Sequence, residues 1–132
     1  MVVYTGAGIS TSAQIPDYRG PNGVWTLRDK GQTPEFRVTL EQALPTRGHM
    51  AIKALCDAGL CKLVVSTNVD GLHRRSGLTR DQVTELHGNI YRELCWDCNT
   101  EYLRHFDTTR PHDNQPVGLE HRTGRKCTTP GQ

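Results

Sequence analysis

The chain opens on a short apolar strand signal that runs directly into a glycine turn, and this junction limits the fold more than any other stretch. Val2–Tyr4 is β-branched or aromatic, as a short buried strand requires, and Gly6 and Gly8 let the backbone turn sharply. Ser10 and Thr11 are good N-cap residues, so we expect a helix to begin there. A strand, a glycine turn and a helix N-terminus together predict a cradle for a diphosphate.

The glycines alone do not complete a dinucleotide-binding fingerprint. Thr11 occupies the place of the third small residue, and no acidic residue follows at the expected distance after a second strand. A Gly-x-Gly turn is also common where no ligand binds. The residues of the other loops are therefore needed to distinguish a phosphate site from a structural turn.

Composition narrows the class of protein. The 132 residues suit one domain, and a hydrophobic share of 35% predicts a modest core with long polar loops. The net charge of +2 is too small to indicate nucleic-acid binding, and no apolar run reaches membrane-span length. Five cysteines, two of them in a Cys-x-x-Cys, favour metal or redox chemistry in a reducing compartment over a disulfide scaffold.

Two strands and a crossover predict a parallel sheet. A weakly patterned helix is expected over Thr33–Leu44, and a better one from Thr46 to about Ala58, ended by Gly59. Cys61–Ser66 then reads as a buried strand, so a right-handed crossover should place it parallel to Val2–Thr5. Cys56 and Cys61 are expected to be small core residues.

Ligands bind beyond the carboxyl ends of parallel strands, where the loops Gly6–Trp25 and Thr67–His73 both emerge. Asn68 and Asp70 could bond ribose hydroxyls or a carboxamide, or Asp70-Gly71 could simply form an Asx turn. His87 stands beside a glycine where the chain should return to the same edge.

The strongest metal signal is Cys95-Trp96-Asp97-Cys98, because two thiolates at this spacing can both reach a tetrahedral zinc. Strand-like flanks, Ile90–Leu94 and Glu101–Phe106, fit a zinc ribbon, and Cys127 is the only later cysteine. The fourth ligand is either a histidine or, as we prefer, a cysteine beyond Gln132. The histidines in question are His105, His112 and His121. A redox Cys-x-x-Cys is less favoured, because its first cysteine should open a helix.

These motifs, in this order, resemble the sirtuin family. They are Gly6-Ala7-Gly8-Ile9-Ser10, Ile15-Pro16-Asp17-Tyr18-Arg19-Gly20, Asn68-Val69-Asp70-Gly71-Leu72-His73, Leu86-His87-Gly88 and Cys95-x-x-Cys98. The stretch Gly20–Leu27 resembles the class IV branch of nuclear sirtuins. Phe106-Asp107-x-Thr109 and Thr123-Gly124-Arg125-x-Cys127 look closer to the sirtuin-seven branch than to the sirtuin-six branch.

The resemblance implies NAD-dependent removal of acyl groups from protein lysines, yielding nicotinamide and an O-acyl-ADP-ribose. It makes His87 the catalytic general base, a role that suits an imidazole of ordinary pKa near ~6.5. It also implies a zinc held by Cys95, Cys98 and Cys127 and taking no part in the chemistry. The implied NAD-binding residues are Gly6, Ala7, Gly8, Ile9, Ser10, Asp17, Tyr18, Arg19, Trp25, Thr67, Asn68 and Asp70.

The same resemblance implies an α/β fold with an open, three-layer, Rossmann-like parallel sheet and a small zinc-ribbon module. Residues 1–88 would form the N-terminal part of the NAD-binding domain, and residues 89–132 an incomplete zinc module. We expect the chain to be a catalytic-domain fragment that lacks the C-terminal half of the fold and is unstable and inactive alone. Acyl-lysine proteins such as histones, a chromatin association and a nuclear location are implied by the branch.

One departure supports a second hypothesis. Thr67 stands where the family usually has Gln, so the resemblance implies a nicotinamide pocket weakened by the lack of that amide. The alternative function is therefore a non-catalytic, zinc-stabilised interaction module that has lost deacylase activity.

Overall fold

The computed structural model describes residues 1–34, 38–109 and 123–128. Its strands are β1 (Val2–Thr5), β2 (Leu63–Ser66), β3 (Val83–Glu85), β4 (Arg92–Leu94) and β5 (Glu101–Leu103). Its helices are α1 (Val24–Asp29), α2 (Arg47–Asp57) and α3 (Leu72–Arg75), with 3-10 helices at Ala7–Ala13 and Arg80–Gln82. The chain divides into two compact units, Met1–Gly88 and Asn89–Gln132. None of the helices in the described ranges has the length and apolar character needed to span a membrane.

The first unit is built on a three-stranded parallel sheet of order β1-β2-β3. Thr5 pairs with Ser66, which in turn pairs with Glu85, so the carboxyl ends of all three strands meet at one edge. The predicted parallel pairing of the first two strands is therefore confirmed, and the α/β class with it. The third strand adds another loop to the same edge, where α/β sheets bind ligands.

Helix α2 forms because its two ends are strongly specified. Thr46 caps its N-terminus in a reciprocal capping box with His49. At the other end Gly59 takes a positive φ of 72°, and the Leu60 N–H donates to the carbonyl of Leu55 at 3.0 Å, which closes a Schellman turn. The predicted limits of this helix are confirmed within a residue.

The core of the first unit lies where α2 packs on the sheet. Its buried members are Cys56, Cys61, Val64, Leu78 and Val83, with Val3, Ile52 and Leu55 packed against them. Cys56 and Cys61 are 6% and 3% exposed, which confirms that both act as small apolar core residues. Burial, together with the neighbouring Cys61, raises the pKa of Cys56 to about 11, so its thiol stays neutral.

Two helix predictions were wrong. The turn after β1 is a 3-10 helix from Ala7 to Ala13, not a helix beginning at Ser10. Thr11 donates its hydroxyl to the Gly8 carbonyl at 2.9 Å, and this local bond competes with α-helical geometry. Gln14, at a positive φ of 65°, ends the element.

The helix expected over Thr33–Leu44 is absent from the described part of that range, since residues 33, 34 and 38–44 are irregular. Residues 35–37 lie outside the described residues. Pro34 disfavours helical backbone at Thr33, and the weak periodicity provides no compensating apolar face. The short helix α1 was not predicted, because the run of Pro and Gly around it indicates a loop.

The second unit contains an antiparallel hairpin, β4–β5, in which Glu93 pairs with Tyr102. Both strands are shorter than the predicted Ile90–Leu94 and Glu101–Phe106. Arg104 and Arg125 each form an ion pair with the Glu93 carboxylate at 2.7 Å. Burial acts to raise the pKa of Glu93, but hydrogen bonds from Thr123, Arg125 and Arg104 outweigh it and hold that pKa below its usual range.

Candidate functional site: the carboxyl edge of the parallel sheet

Two loops that are far apart in sequence are joined by one chain of hydrogen bonds. The Asn68 amide donates to the Ser10 hydroxyl at 3.3 Å, and Ser10 donates to the Asp70 carboxylate at 2.6 Å. Asn68 also donates to the Gly6 carbonyl at 3.0 Å. Ser10 is 1% exposed and Asp70 6% exposed, so the charged end of this chain is held in a buried position.

The Asp70 turn is structural as well as polar. Its second carboxylate oxygen accepts the Leu72 N–H at 2.9 Å, and Gly71 has a positive φ of 70°. This is the Asx turn expected as the structural alternative at Asp70-Gly71. The turn and the contact with Ser10 are both present in the structure. Gly71 adopts the left-handed bend at low cost because it has no Cβ. The resulting turn holds the Asp70 carboxylate against Ser10 of the glycine loop.

A buried polar layer lies next to this chain, and sequence reasoning missed its arrangement. Thr46 donates to the Ile9 carbonyl at 2.9 Å, which ties the start of α2 to the glycine loop. The Thr5 hydroxyl bonds the His73 ring at 2.8 Å, and the rings of His73 and His49 meet edge-on at 4.7 Å. Thr46 was predicted only as a helix cap; no local signal indicated its contact with Ile9.

Both histidines are neutral in the fold. Burial lowers the pKa of His49, opposed by the Asp70 charge. Burial and the neighbouring His49 lower the pKa of His73 to about 4, again against Asp70. Within this layer neither histidine therefore offers the Asp70 carboxylate a positive charge.

We expect acid to destabilise the first unit through His73. A histidine whose folded pKa is depressed contributes stability above the unfolded value of about 6.5, and that stability is lost as pH falls toward 4. The loss at pH 4 should be at most about 3 kcal/mol. Urea unfolding midpoints between pH 7.5 and 4 should therefore fall, and His73→Gln should flatten the profile. His105→Gln, an exposed control, should leave it unchanged; equal profiles for wild type and His73→Gln would contradict the assignment.

The segment Asp17–Trp25 forms a separate, internally bonded loop. Asp17 accepts the Gly20 N–H at 2.9 Å, and a Cβ on Gly20 would lie 2.3 Å from that carboxylate. The Arg19 guanidinium lies 5.1 Å from the Trp25 ring centroid, and the Tyr18 ring lies 5.2 Å from the same ring. Tyr18, Arg19 and Trp25 are thus gathered with one another, and their assignment to NAD stays a prediction.

The remaining predicted NAD-site residues lie on the same edge of the sheet. Ala7, Gly8 and Ile9 belong to the first 3-10 helix, and a Cβ on Gly8 would meet none of the described residues within 4 Å, so there is space beside Gly8. Thr67 is exposed directly after β2, and its N–H donates to the Thr5 carbonyl at 3.2 Å.

His87 follows β3 in a tight turn. The Leu86 N–H donates to the Ser66 carbonyl at 2.9 Å, and the Gly88 N–H closes the turn onto Glu85 at 3.0 Å. The His87 side chain is exposed and, within the described residues, makes no hydrogen bond to the Asn68–Ser10–Asp70 chain. The turn therefore places His87 at the carboxyl edge of the sheet, and its catalytic role stays a prediction.

Three thiols of the second unit converge as the sequence predicts. The sulfur atoms of Cys95, Cys98 and Cys127 all lie within 4.8 Å of one another, and those of Cys98 and Cys127 are 3.6 Å apart. Three sulfur donors at this separation fit a tetrahedral zinc with one further ligand. His105 is not in this group and packs its ring on Phe106; His112 and His121 lie outside the described residues.

Comparison with known proteins identifies the class defined by this fold and these motifs. The Sir2 family model matches residues 32–130, and the chain belongs to that family, the sirtuins. It is 54% identical to mouse NAD-dependent protein deacetylase sirtuin-7 over 129 residues, covering 96% of this chain and 31% of the relative. It is 55% identical to the Drosophila NAD-dependent protein deacetylase Sirt6 over 103 residues, covering 78% of this chain and 32% of the relative.

Solved structures agree with this placement. A Sir2–p53 peptide–NAD⁺ complex superimposes with a TM-score of 0.54 at 33% identity, over 77% of this chain and 46% of the other. A Sir2 homologue mutant bound to ADP ribose gives a TM-score of 0.61 at 26% identity, over 86% of this chain and 53% of the other. The chain thus spans about a third of the length of these curated relatives and about half of these solved chains.

Proposed function

We propose that this chain supplies the NAD-binding loops and the zinc module of an NAD-dependent protein-lysine deacylase. The observation that carries the proposal is the Asn68–Ser10–Asp70 hydrogen-bond chain, in which Ser10 and Asp70 are buried, at the carboxyl edge of a parallel sheet. It gathers an amide, a hydroxyl and a carboxylate beside an open glycine loop. The named activity of the relatives supports the same assignment.

The residues present fit NAD. The open space over Gly8 leaves room for a diphosphate against the loop, and Asn68 and Asp70 offer the donor and acceptor pattern of a carboxamide or ribose. When bound, NAD supplies the ADP-ribosyl group that accepts the acyl group as nicotinamide leaves. The protein's task at Ser10, Asn68 and Asp70 is to bind and orient, since all three are held by mutual hydrogen bonds before any ligand arrives.

His87 is proposed as the general base. It lies at the tip of the turn after β3, exposed to an incoming substrate, while its backbone is fixed by the Glu85–Gly88 hydrogen bond. Histidine is the side chain most often used as a general base, and an imidazole at this position can take a proton from a ribose hydroxyl of the substrate.

Zinc is proposed as a structural ion in the second unit, held by Cys95, Cys98 and Cys127. The donor set fits because thiolates are the preferred ligands of structural zinc, and the three sulfur atoms are already gathered. Its contribution is to the fold of the unit, since the hairpin strands are only three residues each.

The proposed substrates are acyl-lysine proteins. A solved Sir2 relative is a complex with a p53 peptide and NAD⁺, which supports peptide substrates for this chain. We also propose a nuclear location and histone or other chromatin substrates, on the resemblance to the class IV branch.

NAD-dependent loss of an acetyl group from a lysine peptide, followed by mass spectrometry, tests the function. Because the chain spans about a third of its relatives, the assay should use both the chain and any longer polypeptide that its gene encodes. Deacetylated peptide and O-acetyl-ADP-ribose in equal amounts, only with NAD, are expected. A folded, zinc-loaded longer polypeptide that forms neither product would contradict the proposal.

Asn68→Ala should weaken NAD binding about tenfold. It removes the side-chain amide that donates to Gly6 and Ser10, and with it these hydrogen bonds between the loop after β2 and the glycine loop. The readout is the NAD-induced rise in melting temperature, which requires binding to the native state. Gln32→Ala, which removes an exposed amide elsewhere, should keep the full shift. An unaltered NAD response in Asn68→Ala would separate this residue from the site.

The second candidate is a non-catalytic interaction module, favoured by Thr67 in place of the family's Gln. Thr67 is exposed at the end of β2, so its short side chain provides no amide to a ligand there. This alternative predicts no melting shift with NAD and no product, with zinc content intact.

A further inference from the structure

We propose that Tyr102 and Thr100 are positioning residues of the zinc site, each donating an O–H hydrogen bond to one metal-binding sulfur. This inference rests on the zinc binding proposed above. The carrying observations are the Tyr102 hydroxyl at 3.0 Å from the Cys127 sulfur and the Thr100 hydroxyl at 3.1 Å from the Cys98 sulfur.

The direction of these bonds follows from the charge state of a metal-binding cysteine. A thiolate carries no proton, so in the 3.0 Å contact with the Cys127 sulfur the phenol O–H of Tyr102 is the donor. The Thr128 backbone N–H donates to the same phenol oxygen at 3.1 Å, so the oxygen accepts in that contact. By the same reasoning the Thr100 hydroxyl donates to the Cys98 thiolate.

Tyr102 also fixes the segment that carries Cys127. The Arg125 side chain is paired with Glu93 at 2.7 Å on one side of the cysteine, and Thr128 is bonded to Tyr102 on the other. The Arg104 guanidinium lies 4.7 Å from the Tyr102 ring centroid and helps hold the ring in place. Cys127 is distant in sequence from the other two ligands, so its position depends on these contacts with the hairpin.

Two of the three sulfur atoms have a side-chain hydroxyl within hydrogen-bond distance: Thr100 beside Cys98 and Tyr102 beside Cys127. Hydrogen bonds to ligand atoms orient them and tune a bound metal, and their loss typically costs about 10–100-fold in affinity. The hydrogen bonding of two of the three thiolates can therefore be changed by mutation without replacing a metal-binding cysteine.

Tyr102→Phe removes only the phenol oxygen and provides the sharpest test. Zinc affinity is measured by competition with a chromophoric chelator, and the absorption of the Co²⁺-loaded protein reports the thiolates directly. We expect about tenfold weaker zinc binding, a shifted thiolate-to-cobalt charge-transfer band, and faster zinc release on alkylation with iodoacetamide. Thr100→Val should act in the same direction through Cys98.

Thr109→Val is the matched control, because its hydroxyl bonds Asp107 and no sulfur atom. It should keep the wild-type affinity and cobalt spectrum. Unchanged zinc affinity and an unchanged spectrum in both Tyr102→Phe and Thr100→Val would overturn this inference while leaving the zinc site intact. A wild-type chain that binds no zinc would instead overturn the zinc site itself. Should Tyr102→Phe bind no metal at all, the Thr100→Val spectrum decides alone: a shifted band upholds the inference and a wild-type band overturns it.

Discussion

His87→Ala should reduce NAD-dependent deacylation by about 10²–10⁴-fold, the range typical for removing a positioned general base. The fold should survive, because the His87 side chain is exposed and the turn that carries it is closed by backbone bonds. NAD should still raise the melting temperature of the variant, since Ser10, Asn68 and Asp70 are untouched. Initial rates of peptide deacetylation, measured in the polypeptide that shows activity, test this expectation.

The matched control is His105→Ala. His105 is also exposed but belongs to the second unit. Its rate should equal that of the wild type. If His87→Ala kept the wild-type rate, the base would have to be another group, and His73 is excluded from that role by its burial and low pKa.

Removing zinc should unfold the hairpin of the second unit. Structural zinc contributes on the order of 10–16 kcal/mol of apparent binding free energy, far more than two strands of three residues can supply. Chelation, or Cys98→Ser, should therefore abolish amide-exchange protection in β4 and β5. The effect is measured by hydrogen exchange together with zinc content.

Cys56→Ala is the control for loss of a thiol, since Cys56 belongs to the core of the first unit and to no metal cluster in the described residues. Its zinc content should remain unchanged even where its melting temperature falls. Full protection of β4 and β5 in a zinc-free chain would show that ion pairs such as Glu93–Arg104 suffice to hold the hairpin.

Features encoded by local sequence were predicted well. The caps of α2, the strand character of β1 and β2, and the pairing of Cys95 with Cys98 follow from residues close together in the chain. The inclusion of Cys127 was implied by the resemblance to the sirtuin family. Parallel pairing followed from the helical connection between β1 and β2, because parallel neighbours need a long crossover.

Features that depend on distant partners were not predicted. The His49–His73 contact and the Thr46 bond to Ile9 join segments whose own sequences read as a cap and a loop. The region after β1 became a 3-10 helix because the Thr11 hydroxyl bonds backward, a choice that propensity alone does not make. For His87, the sequence indicates which edge it reaches, whereas its role depends on a ligand.

The bond from Asn68 to Gly6 spans 62 positions along the chain, and the bond from Ser10 to Asp70 spans 60. The pairing of β1 with β2 closes the same long segment, so it and these two bonds share one closure entropy. The loop contacts proposed to hold NAD are therefore expected only in chains whose first two strands have paired. A variant that loosens this pairing should lose its NAD-induced stabilisation even though no proposed ligand contact has been replaced.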